Sequence, residues 1–336
     1  MCSLELSNES MTYREAIRTA LRRELKEDPS VVLLGEDIAA HGGVFKCTDG
    51  LADEFGNDRI VDTPISEQGF AGIALGMALV GMRPVVEIMF ADFLAVAASP
   101  IGLDIPRWRL MSGGQMSVPL TIRTVGGLGG HFGAQHSMTY ESWFQGLPGL
   151  KIATVSRPSS AIRILRAAVQ HDNPVLVVEH KMLYARREPV HLEAPGNDVI
   201  GRAEIVRAGT DVTIVASLAN VWRAIEGAEL LAQRGIDAEV IDIAWIKPLD
   251  IETVKASVQK TRCLLVLSEE YFAGSWASTL LAQLAIAGVR YDTAPRAIHL
   301  PDDLPVPFAP SVEMEMPPSV DDVVKSAEAM IEASRR

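Results

Sequence analysis

The sequence predicts an α/β protein of two domains, each a mostly parallel sheet flanked by helices. Three observations predict it. The chain has 336 residues, and an ordinary domain takes roughly 100–200. Short apolar runs without polar alternation recur along it, the pattern of strands covered on both faces. Segments of helical length and spacing separate these runs, so neighbouring strands are joined through crossover helices and lie parallel. Hydrophobic residues at 48 % against charged residues at 22 % give such a fold a full core.

Each element follows in order. Thr12 and Glu15 form a capping-box pattern ahead of Tyr13, Ile17, Leu21 and Leu25, so a helix starts here and stops near Asp28-Pro29. VVLLGED (31–37) and RIVDTP (59–64) read as strands, and a glycine-rich helix follows over 66–80. RPVVEIMF (83–90) is a strand and 92–111 a helix. VPLTIRT (118–124) is a strand leading into the glycine loop GGLGGHFG (126–133). LKIATV (150–155), a helix over 158–171 and PVLVVEH (174–180) complete the first unit. The rhythm then fails, with two prolines and mixed charge in 181–200. This divides the chain into a domain at 1–185, a linker at 186–200 and a domain at 201–336. The second domain alternates DVTIVAS (211–217), helix 219–234, DAEVIDI (237–243), helix 250–259, CLLVLSEE (263–270) and helix 275–287. A proline-rich stretch, 295–318, is expected to wrap the surface before a last helix at 320–334.

A net charge of −12 argues against nucleic acid and against anionic membranes as partners. Cys2, Cys47 and Cys263 are too scattered for a disulfide framework or a metal site, which points to a reducing, cytoplasmic setting. The N-terminus shows no signal-peptide pattern. The longest uncharged run, between Glu67 and Arg83, is broken by glycines and too short to span a membrane.

Ligands of open parallel sheets sit at the carboxyl ends of the strands. Glu36, Glu67, Phe90 to Phe93, the glycine loop and His136 all follow strand ends. Taken singly, each has two readings. Glu67 is an acid favoured by a helix N-terminus or a working carboxyl group. Gly72 and Gly76 serve internal packing or a subunit contact. Phe90 and Phe93 are core or a cofactor platform, and Glu269-Glu270 reads as a strand-end charge pair. His136, with His131 nearby, is a hydrogen-bonded loop residue or a catalyst. The loop is no dinucleotide fingerprint, because Phe132 stands where the third glycine belongs.

Several stretches together decide between these readings: VVLLGEDIAAHGGVFKCTDGL, DTPISEQGFAGIALGMALVGMRPVVEIMFADF, MSGGQMSVPLTIR, GAQHS and NPVLVVEHKMLY. They resemble the β subunit of the thiamine-diphosphate-dependent 2-oxoacid dehydrogenases, which act on pyruvate, branched-chain 2-oxoacids or acetoin. The resemblance runs over nearly the whole chain. It implies a transketolase-like pyrimidine-binding domain followed by a transketolase C-terminal domain.

By this resemblance Glu67 matches the glutamate that hydrogen-bonds the pyrimidine nitrogen of the cofactor. Phe93 matches an aromatic residue packed on that ring, and Ile65 a residue lining the same pocket. His136, in Gln135-His136-Ser137, matches the histidine facing the lipoyl channel, where it gives a proton to the dithiolane sulfur. Gly72 to Gly76 matches the family's glycine-bearing helix at the subunit contact. The family's Gly-Asp-Gly motif for Mg²⁺ and diphosphate is missing from the chain. That half of the site is implied to belong to an α subunit, in an α₂β₂ assembly, and no metal ligand is expected here. A lipoyl transacylase core is the further implied partner, docking at the second domain.

The chain departs from the family at Met138 (usually Gln), at Leu103 to Arg107 with Pro106 inside a helix, at Gly274-Ser275 (usually Gly-Gly) and at His171 (often Asp near a potassium site). The resemblance implies decarboxylation of a 2-oxoacid, or cleavage of acetoin, with reductive acylation of a lipoyl group. The departures motivate an alternative, a two-subunit carboligase passing the acyl carbanion to a carbonyl acceptor, which lipoyl dependence would separate. A noncatalytic α/β scaffold predicts no loss of activity when Glu67 is changed. An NAD-binding dehydrogenase is disfavoured by the incomplete fingerprint.

Overall fold

A computed structural model describes residues 8–191 and 200–335 of the chain. In chain order the first elements are β1 (Asn8–Thr12), α1 (Tyr13–Glu27), β2 (Val31–Gly35), α2 (Leu51–Phe55), β3 (Ile60–Asp62), α3 (Glu67–Leu79), β4 (Arg83–Ile88), α4 (Trp108–Met111) and β5 (Thr121–Gly126). Next come β6 (Lys151–Thr154), α5 (Pro158–Gln170), β7 (Val175–His180), β8 (Arg187–His191) and β9 (Glu204–Arg207). The remainder is β10 (Val212–Ala216), α6 (Ala219–Gln233), β11 (Ala238–Asp242), β12 (Trp245–Lys247), α7 (Ile251–Thr261), β13 (Leu264–Tyr271), α8 (Trp276–Ile286), β14 (Arg296–Leu300), α9 (Pro310–Glu313) and α10 (Val320–Ser334).

The chain forms two compact units. The first holds Met1–Val125, Leu147–Lys151 and Arg157–Ile200; the second holds Gly126–Gly146, Ile152–Ser156 and Gly201–Arg336. The glycine loop and His136 therefore sort with the second unit, which a division at 185 and 201 does not express.

In the first unit the sheet runs β7-β5-β4-β2-β3. β2 lies parallel to both β3 and β4, and β4 parallel to β5. β2, β5 and β7 are buried along their whole length; β2 therefore reads as an unbroken apolar run, while β5 and β7 bury Arg123 and Glu179 as an ion pair. The capping box of α1 forms: the Glu15 N–H donates to Thr12 Oγ1 at 3.1 Å and the Thr12 N–H to Glu15 Oε2 at 2.7 Å. Its buried face packs on α5.

Three expectations need correction here. The helix over 92–111 does not form. A 3₁₀ turn (Ala91–Ala95), a π-type turn (Pro100–Asp104) and the short α4 replace it. Pro100 and Pro106 lack the N–H groups a continuous helix needs. The linker is also not uniform: within 186–200, Arg187–His191 is strand β8, antiparallel to β1 from Asn8↔His191 to Thr12↔Arg187. Residues 192–199 of that linker, and Cys2, lie outside the described residues. The stretch 295–318 carries strand β14 as well as α9.

The sheet of the second unit runs β14-β13-β10-β11-β9, parallel except for β9. One of its cores gathers Val212, Ile214, Val221, Ala224, Ala228, Val323 and Met330 between sheet, α6 and α10. Gly227 permits the approach of α10, because a Cβ there would lie 2.7 Å from Val323 Cγ1. β6 contributes Ile152 and Ala153 to an antiparallel pairing with β12. Ser275 caps α8 by accepting the Ser278 N–H at 3.2 Å, a helix-capping use for the serine that departs from the family's glycine.

Candidate active site

The carboxyl edge of the first sheet is built by short strands that stop at acids. β2 ends at Gly35, and Glu36 follows. A Cβ at Gly35 would come 2.9 Å from the Glu87 carbonyl oxygen, so only glycine lets the two strands run this close before the chain turns. The turn is pinned from the next strand: Asp62 accepts the N–H groups of Ala39 at 2.7 Å and Ala40 at 3.0 Å. The Thr63 N–H donates to the Gly35 carbonyl at 2.9 Å. These bonds hold the entry to α3, whose first residue is Glu67.

Both acids are buried, Glu67 at 6 % exposure and Glu36 at 9 %. Burial pushes the Glu36 carboxyl above the ordinary carboxylate range, and the charges of Glu67 and Asp37 push it further. Glu36 Oε1 is buried and has no hydrogen-bond partner. Sequence position alone gave Glu36 only a location; the signal was an acid directly after an all-apolar strand.

Phe93 is half-buried and meets Phe90 edge-to-face, with ring centroids 5.7 Å apart. Phe90 meets Phe45 the same way, and Phe45 stacks on Tyr184 at 5.0 Å. Phe93 is thus the outer member of an aromatic series rooted in the core. Ile65, two residues before Glu67, is 85 % exposed. The first unit therefore brings Ile65, Glu67 and Phe93 to the carboxyl edge of one sheet, with Glu36, which also follows a strand end, close enough to Glu67 to feel its charge. Deeper in the sheet Arg123 bridges Glu87 and Glu179.

His136 is half-buried on the loop of the second unit, and its N–H donates to the Gly133 carbonyl at 3.3 Å. Three buried carboxylates grip the same loop. Glu269 accepts the Leu128 N–H at 2.6 Å, Glu313 those of Gly129 and His131 at 2.9 Å each, and Glu270 that of Ser142 at 3.0 Å. Glu269-Glu270 is thus more than a strand-end charge pair. Met138 packs with Leu128, Leu300, Val306 and Met316, so this departure from the family pattern is a core residue.

Among the described residues no group of three or more His, Cys, Asp or Glu is arranged to hold a metal ion. Cys47 and Cys263 are free and buried. No described helix is long and apolar enough to cross a membrane.

Comparison with known proteins identifies the family and the fold. Residues 9–187 match the family described as transketolase, pyrimidine binding domain, and residues 201–323 match transketolase, C-terminal domain. A mitochondrial pyruvate dehydrogenase E1 component subunit beta-2 of Oryza sativa subsp. japonica is 38 % identical over 320 residues, covering 94 % of this chain and 85 % of that one. The Arabidopsis thaliana mitochondrial subunit beta-1 is 36 % identical, covering 94 % and 88 %. The Rhizobium meliloti (strain 1021) subunit beta is 37 % identical, covering 96 % and 70 %. Among solved structures, a split-gene transketolase in an inactive β4 tetramer superposes with a TM-score of 0.76 at 23 % identity, covering 97 % of this chain and 99 % of that one. That likeness speaks for the fold.

Proposed function

Because the chain belongs to the family of the pyruvate dehydrogenase E1 component β subunits, we propose that it forms half of a composite active site for oxidative decarboxylation of a 2-oxoacid. It is the β subunit of a thiamine-diphosphate-dependent 2-oxoacid dehydrogenase, and it works with an α subunit in a multienzyme complex. The substrate is a pyruvate-like or branched-chain 2-oxoacid, or acetoin, and the acyl unit passes to a lipoyl group. The α subunit carries the diphosphate and Mg²⁺ end of the site in an α₂β₂ assembly, with a lipoyl transacylase core as further partner and a cytoplasmic setting. The pyrimidine-binding domain is assigned to 1–185 and the C-terminal domain to 201–336.

The observation that carries this reading is the buried Glu36–Glu67 pair at a sheet edge. The residues present suit a pyrimidine ring. Glu67 offers a buried carboxyl for a ring nitrogen, Phe93 an aromatic wall and Ile65 an aliphatic one. Glu36 Oε1 lacks a partner. When bound, thiamine diphosphate supplies the nucleophilic carbon and the electron sink for loss of CO₂. Glu67 holds a proton between its carboxylate and the ring nitrogen. Glu36, pushed towards its neutral form, keeps a second negative charge from facing the ring. His136 holds a proton at its imidazole for the sulfur released from the lipoyl disulfide.

The exposed face of α3 fits the expected partner. A Cβ at Gly72 or Gly76 would meet nothing within 4 Å, and Ile73 and Val80 are 60 % and 80 % exposed. The carboligase alternative loses one of its motives, since Met138 is a packing residue.

The test uses this chain copurified with its α partner, thiamine diphosphate, Mg²⁺, a panel of 2-oxoacids plus acetoin, and an artificial electron acceptor. Glu67→Gln is expected to lower turnover by ~10²-fold or more, the scale of general acid–base catalysis. Turnover unaffected by that change would remove Glu67 from the mechanism. Acyl transfer to added lipoamide separates the dehydrogenase from a carboligase.

A further inference from the structure

The proline-rich stretch 295–318 has no part in the proposed chemistry, yet it supplies the most heavily used buried carboxylate on the glycine loop. Glu313, fully buried, meets three groups of that loop: it accepts the N–H of Gly129 and the N–H of His131, and its carboxyl lies 2.6 Å from the His131 Nδ1. A buried carboxylate tolerates burial when donors surround it, and hydrogen bonds to a charged acceptor are the stronger kind. Two of the residues held this way have left-handed backbone, Gly129 at φ +96° and His131 at φ +61°. For a histidine that conformation is costly and persists where its surroundings fix it. Five residues before Glu313, Phe308 packs against Gly133, where a Cβ would come 2.5 Å from the ring. One short segment, 308–313, therefore clamps the loop at residues 129, 131 and 133.

His136 lies three residues beyond Gly133, and its N–H is bonded to the Gly133 carbonyl. We infer that Glu313 is a positioning residue for acyl transfer: together with His131 it fixes the glycine loop so that the His136 imidazole is presented to the lipoyl group. This rests on the role proposed above for His136. The contact of His131 Nδ1 with Glu313 orients the clamp. The Glu67 chemistry does not depend on it.

The assembled α/β enzyme tests this in two assays. Reduction of an artificial acceptor reports decarboxylation alone; acylation of lipoamide or of a lipoylated domain reports transfer. For Glu313→Gln we expect acyl transfer to fall at least tenfold while artificial-acceptor turnover stays within twofold. Hydrogen exchange is expected to rise at the amides of Gly129 to His136 and to stay unchanged in α10. A residue that merely stabilised the fold would lower both activities together. Equal loss in both assays, or wild-type acyl transfer, overturns the inference. If Glu313→Gln does not assemble, His131→Asn carries the same comparison. His136→Gln separates the two ideas: if it transfers acyl groups normally, the role of His136 fails and this inference with it; if it loses transfer while Glu313→Gln keeps it, the role of His136 stands and the clamp alone fails.

Discussion

Arg123 meets Glu179 through two parallel hydrogen bonds, Nε to Oε1 at 2.8 Å and Nη2 to Oε2 at 3.1 Å, with side-chain exposures of 3 % and 1 %. Its third arm reaches Glu87 at 2.7 Å, and the Tyr184 hydroxyl donates to Glu179 at 2.8 Å. Burial raises the Glu179 carboxyl, and the Arg123 charge works against that rise. Removing Arg123 leaves two carboxylates in a buried place without their cation. Breaking such a pair from one side costs about 3–5 kcal/mol. Arg123→Met is therefore expected to be strongly destabilised in denaturant titrations, and Glu87→Gln, at the more exposed end, much less. Equal midpoints for Arg123→Met and wild type would show that the cluster contributes nothing net.

Glu141 and Glu270 form a second buried acid pair, at 0 % and 7 % exposure. Burial is the largest cause raising each, and Glu270 pushes Glu141 further. Ser142, through N–H and hydroxyl, and the Trp276 N–H donate to Glu270, while Glu269 adds its charge near Glu141. An acid whose folded pKa is raised favours the folded state most below the unfolded carboxylate range, and that advantage is lost as pH rises through the folded value. Stability should therefore decline from about pH 4.5 upward by up to ~1.4 kcal/mol per pH unit per proton. Glu141→Gln is expected to flatten this dependence and to melt higher than wild type at pH 8. An unchanged pH slope in the variant would place the titration elsewhere.

On α3, Gly72 and Gly76 cost helix propensity without relieving any crowding within the chain. Gly→Ala in a helix interior gains about 0.5–1 kcal/mol. Gly72→Ala and Gly76→Ala should raise the melting temperature of the isolated chain, and Gly72→Leu should fold but fail to copurify with the α subunit. Normal assembly of Gly72→Leu would show that this helix face is not the contact.

Strands buried on both faces were legible because burial leaves an unbroken apolar run: β2, β10 and β13 stand where VVLL, VTIVA and LLVLS predict them. β1 and β8 were not, because a two-stranded ribbon of NESMT and REPVH shows neither pattern. β14 was hidden by the prolines after it. In the site, Glu67 stood out by its place on α3 and by family resemblance, and Glu36 by position alone. Glu313 gave no signal, since its partners lie 182 and 184 residues away and no local spacing encodes them.

The raised Glu36 carboxyl makes a last prediction about pH. Burial and Glu67 favour its neutral form, so below its folded pKa a glutamine should imitate it, both being neutral and able to donate. Above that value wild type gains a second negative charge beside Glu67 and the variant does not. With the artificial acceptor, Glu36→Gln should therefore track wild-type kcat/KM on the acid side and diverge from it as pH rises. The cofactor-free chain should show the matching stability change. The favourable contribution of protonated Glu36 is complete below the ordinary carboxylate range and disappears as pH rises through the folded pKa, so the variant gains over wild type only at higher pH. A variant-to-wild-type ratio that stays constant across the profile would mean that Glu36 does not change protonation beside Glu67.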